Sequence, residues 1–146
     1  MAKPVVIRQG WMRFMYLYTI LGAGGFGLGI VIVPGLVKAA LRWPGDEPIA
    51  LGIVGSVYVA FGVLSVLGLR DPLKFAPVLL LQFCYKSVWF IAIVLPLLIR
   101  GRFPDYGLLT AAIFATYIVG DLIAIPFSYL FARASGTHQD AAPKGA

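Results

Sequence analysis

Long apolar runs separated by short polar connections divide this chain. Residues 14–41, 49–69, 73–99 and 106–131 are almost free of charge, and the short connections 42–48, 70–72 and 100–105 are dense in Arg, Asp and Pro. A helix rises about 1.5 Å per residue, so about 20 apolar residues cross the roughly 30 Å hydrocarbon core of a bilayer. Each run meets that length. Connections this short join neighbouring helices head to tail. The pattern predicts an all-α integral membrane protein with four transmembrane helices in an antiparallel bundle. Residues 14–131 form that domain, residues 1–13 an interfacial N-terminal segment, and residues 132–146 a polar, disordered C-terminal tail.

Composition sharpens this reading. The chain has 146 residues, of which 60% are hydrophobic and 12% charged, with a mean hydropathy of +0.91. That charged share is about half the globular norm, too little to clothe a soluble domain of this size. Basic residues outside the runs fall unevenly. One side carries Lys3, Arg8, Arg13, Arg70, Lys74, Arg133 and Lys144, the other Lys38, Arg42, Arg100 and Arg102. The bias places both termini in the cytoplasm, as in a bacterial inner membrane. The net charge of +6 is a juxtamembrane ring whose partner is a bilayer with anionic headgroups, not nucleic acid. The first run is too long for a signal-peptide core and lacks an A-x-A-like exit, so it stays uncleaved. Cys84 has no partner cysteine and is expected to fill space within a helix.

Small residues suggest where helices touch. GAGGFGLG, residues 22–29, contains Gly25 and Gly29 four apart, with Gly22 on nearly the same face. The second run carries Gly52, Gly55, Ser56, Gly62 and Ser65. Two such helices pack closely, or one packs on a second copy of the chain. Pro34 bends the end of the first run, and Asp46-Glu47-Pro48, Asp71-Pro72 and Pro104-Asp105 open the later ones.

The candidate chemistry is a stripe. Lys86 is the only charged residue within residues 75–99, and Asp121 the only one within residues 106–132. Gln82, Tyr85, Lys86 and Trp89 share one helical face by their i, i+3, i+4, i+7 spacing, and Thr110, Tyr117, Asp121 and Ser128 share another. Counted from their common loop, Lys86 lies about 21 Å deep and Asp121 about 24 Å. That places them side by side as a buried pair. Intramembrane ionisable groups mark functional sites, and buried pairs also fix helix register.

The binding residues expected from this are Gln82, Tyr85, Lys86, Trp89, Tyr117 and Asp121. No run contains a histidine, so no metal, haem or other cofactor is expected. His138 lies in the tail. No nucleophile has a histidine base and no nucleotide fingerprint follows a strand. The leading function is a small membrane protein with a polar pocket around Lys86 and Asp121, acting as a binding or accessory subunit in a homo-oligomer or larger membrane complex. One alternative is a proton-coupled small-solute transporter or channel, working as a homo-oligomer. Another is a membrane enzyme in which Tyr85, Lys86 and Asp121 do acid–base chemistry on a lipid or sterol-like substrate.

Overall fold

The computed structural model describes residues 7–45 and 47–135. The tail residues 136–146, His138, Lys3 and Lys144 lie outside the described residues, as does Asp46. Among the described residues there is no strand, and four helices are long and apolar enough to span a membrane. These are α1 (Gln9–Ile32), α3 (Pro48–Arg70), α4 (Ala76–Ile99) and α5 (Asp105–Ala124). Two shorter helices, α2 (Pro34–Leu41) and α6 (Phe127–Ser135), follow α1 and α5.

Prolines set the breaks. Pro34 has no N–H to continue α1 and forces its predecessor out of helix, so Val33 sits at φ −133°, ψ 58°. Pro126 does the same to Ile125, at φ −70°, ψ 121°. The sequence pattern carried the first helix to residue 41 and the fourth to residue 131. Both end earlier, at Ile32 and Ala124, because a hydropathy window is blind to a single missing donor. Pro48 opens α3 as expected. Pro72 does not open α4. It begins a turn instead, in which Asp71 Oδ1 accepts the Lys74 backbone N–H at 3.3 Å, and the helix starts at Ala76. At the other end of α4 the chain reverses through Gly101, whose φ of +61° suits a residue without Cβ.

α1 and α3 meet backbone to backbone. A Cβ on Gly62 would lie 2.8 Å from Gly24 Cα, and one on Gly27 would lie 2.7 Å from the Gly55 carbonyl oxygen. Farther along, Gly68 makes room for the Tyr16 ring. The small residues of α3 thus pack against α1 as expected, but the α1 partners are Gly24 and Gly27, not Gly25 and Gly29. Gly25 has open space around it, and Gly29 touches only Val37 of α2. The cause is a π-helical turn, Ile20–Gly24, whose wider spacing rotates the following residues against a regular helix. A second π turn, Phe90–Val94, sits in α4 just before Pro96 and absorbs its missing donor.

The main apolar core joins α1, α4 and α5 through Met12, Met15, Tyr16, Leu79, Tyr117 and Ala124. Cys84 is exposed and fills no internal space.

Candidate functional site: a buried polar centre

The polar stripes meet inside the protein. Gln82, Lys86 and Asp121 are each at most 1% exposed and Tyr117 is 2% exposed. α4 supplies Gln82 and Lys86 one turn apart, and α5 supplies Tyr117 and Asp121 at the same spacing. α1 adds Thr19 and Tyr16, and α3 adds Ser65, all fully buried.

Lys86 is held by its own neighbourhood. Its Nζ donates to Gln82 Oε1 at 2.9 Å. The amide passes the chain on, Gln82 Nε2 donating to Thr19 Oγ1 at 3.2 Å and Thr19 Oγ1 to the Met15 carbonyl at 2.8 Å. Three rings enclose the ammonium, with centroids 4.0 Å away for Tyr117, 4.6 Å for Tyr85 and 5.5 Å for Phe114. Ring faces attract a cation, more strongly where water is excluded. Trp89 is half-buried and buttresses this cage through Phe114, ring centroids 5.2 Å apart.

Asp121 is different. Both of its carboxylate oxygens are buried, and neither has a hydrogen-bond partner among the described residues. It shares the centre with Lys86 but makes no hydrogen bond to it. The expected side-by-side pair is therefore a shared centre without contact. Lys86 lies level with Tyr117, and Asp121 lies one turn farther along α5. Equal depth assumed regular helices on both sides of the loop. The π turn in α4 shortens the path to Lys86, and the 3₁₀ turn Asp105–Gly107 lengthens the path to Asp121.

Tyr117 ties the centre to the π turn of α1. Its hydroxyl donates to the Tyr18 carbonyl at 3.0 Å and accepts from the Ala23 N–H at 3.3 Å. These are the backbone groups a π turn leaves strained or free, so a side chain from α5 completes the ladder of α1. The remaining stripe members fall away. Thr110 is half-buried, and Ser128 is exposed beyond the Pro126 break. Ser65 Oγ is also buried without a hydrogen bond among the described residues, and the Tyr85 hydroxyl lies beside Tyr58 of α3.

Sequence reasoning missed Thr19, Tyr16, Ser65 and Phe114. Tyr16 and Thr19 are three apart in the first run and share a face, a signal that was present. Ser65 was read only as a small residue, and Phe114 carried no polar signal at all. Among the described residues no group of three His, Cys, Asp or Glu side chains is placed to hold a metal. Comparison with family models, with curated proteins and with solved structures finds no match to this chain.

Proposed function

We propose that the chain is an integral membrane protein with four antiparallel spans and both termini cytoplasmic, in a bacterial inner membrane. It acts there as a binding or accessory subunit whose site is the buried centre around Lys86 and Asp121. The membrane reading is supported by the outward faces. Ile49 is 78% exposed and Ile99 77%, surfaces that suit acyl chains and not water.

The site reading is carried by the unpartnered Asp121 carboxylate. A buried acceptor without a donor costs about 1–3 kcal/mol, more when charged. Lys86 directs its ammonium to Gln82 Oε1 and three ring faces and makes no hydrogen bond to Asp121, so among the described residues the carboxylate is left without a direct partner. It is a standing acceptor for a hydrogen-bond donor brought by a ligand or by a partner subunit in a homo-oligomer or larger complex. Native mass spectrometry of gently extracted protein tests this. A bound mass, small molecule or protein, that is present in the wild type and lost in Asp121→Asn is the expected result. A bare monomer in both would sink the proposal.

A second reading, proton-coupled transport, is favoured by one observation. Lys86 and Asp121 are both fully buried in one centre without a hydrogen bond between them, an arrangement that leaves the carboxylate open to take up a proton. Liposome-reconstituted protein would then show pH-gradient-driven solute flux that Asp121→Asn abolishes.

A further inference from the structure

A cleft of about 550 Å³ opens where the α3–α4 turn meets α6. Its walls are Asp71, Leu73, Lys74, Pro77, Tyr129 and Leu130. The chemistry is mixed in an ordered way. Asp71 and Lys74 are exposed and carry opposite charges three residues apart, yet they do not pair through their side chains. The Asp71 carboxylate is turned onto the Lys74 backbone N–H, and among the described residues no hydrogen bond or ion pair occupies the Lys74 ammonium. Leu73, Pro77 and Leu130 form the apolar side. The turn that carries Asp71 and Lys74 is anchored from behind, because the buried Tyr16 hydroxyl donates to the Pro72 carbonyl at 2.8 Å.

A carboxylate, a free ammonium and an apolar wall within one cleft form the complement of a particular amphiphile. We infer that this cleft binds a glycerophospholipid whose zwitterionic headgroup ends in a primary ammonium. Its phosphate meets Lys74, its ammonium donates to Asp71, and its glycerol and upper acyl carbons lie on Leu73, Pro77 and Leu130. A trimethylated headgroup has no N–H to give Asp71, and an anionic headgroup meets the carboxylate as a like charge. The inference rests on the membrane reading, which places residues 70–75 at headgroup level.

The test is lipid competition on the full-length protein. Purified protein is mixed with equal amounts of phosphatidylethanolamine, phosphatidylcholine and phosphatidylglycerol, and its adducts are counted by native mass spectrometry. Phosphatidylethanolamine should be preferred by up to about five-fold, the selectivity of one exposed charged contact. Asp71→Asn keeps an oxygen for the Lys74 N–H, so the turn survives. It should erase the preference over phosphatidylcholine. Lys74→Gln should lower both of these lipids together. Equal adducts in the wild type, or a preference unmoved by Asp71→Asn, would overturn the inference. A carbonate wash of whole membranes separates the two readings. Protein that stays in the pellet but binds the three lipids equally refutes the headgroup site alone, whereas protein released by the wash refutes membrane insertion.

Discussion

The hydroxyl of Tyr117 occupies the space that a side chain on Gly22 would need. The glycine, the π turn and the tyrosine are one device, in which α1 opens its backbone ladder and α5 closes it. Tyr117→Phe removes the closure and leaves the Tyr18 carbonyl and the Ala23 N–H without their bridge. It should cost about 1–3 kcal/mol in reversible unfolding from mixed micelles. Gly22→Ala should cost a similar amount. Because both changes break the same bridge, the double mutant should lose less than their sum, and strict additivity would show that the two residues act separately.

The glycine contacts make a sharper distinction. Gly24→Leu and Gly62→Leu should each lower thermal stability severely, since the added side chain meets backbone and cannot be accommodated by rotamer changes. Gly25→Leu, one residue away in the same motif, should be neutral within about 0.5 kcal/mol because it faces open space. Equal damage at Gly24 and Gly25 would contradict the register that the π turn imposes.

In the polar centre the two ionisable residues should behave oppositely. Lys86→Met strips Gln82 Oε1 of its donor and empties the aromatic cage, and should destabilise by about 2–4 kcal/mol. Asp121→Asn removes a potential charge that no side chain satisfies, and should leave stability unchanged or raise it. A stable Asp121→Asn protein that fails to support its cellular role would mark the aspartate as a functional group held at the expense of stability. Matching losses from both changes, rescued in the double mutant, would instead describe a direct ion pair.

Topology is open to a simple check. A green fluorescent protein fused after residue 146 should fluoresce and an alkaline phosphatase fused there should be silent, as the basic-residue bias requires. The reverse pattern would invert the orientation.

The four long helices were legible because hydropathy and charge placement are averages over many residues, and averages survive local irregularity. The inward faces of Gln82 with Lys86 and Tyr117 with Asp121 were legible for the same reason, since spacing by four within a helix tolerates small errors. What single residues decide was harder to read. The exchange of Gly25 for Gly24 follows from one π turn, and that turn is stabilised by Tyr117, 94 residues from Ala23 in the chain. The missing contact between Lys86 and Asp121 follows from irregular turns at opposite ends of the comparison. The break at Pro126 could have been read from the Ile-Pro step alone, but the apolar residues beyond it concealed the end of α5.

The Gly24–Gly62 contact also has a mechanical meaning. Interfaces built from side chains slide, because rings flip and methyl groups find new hollows. Two backbones in direct contact have nothing between them to rearrange, so they hold or they part. α1 and α3 are thereby expected to move as one piece, a seam that sets the frame of reference for the other helices. If Asp121 takes a guest as proposed, the motion that admits it is a swing of α4 or α5 against that frame, and it must break the Tyr117 hydroxyl's bridge to α1.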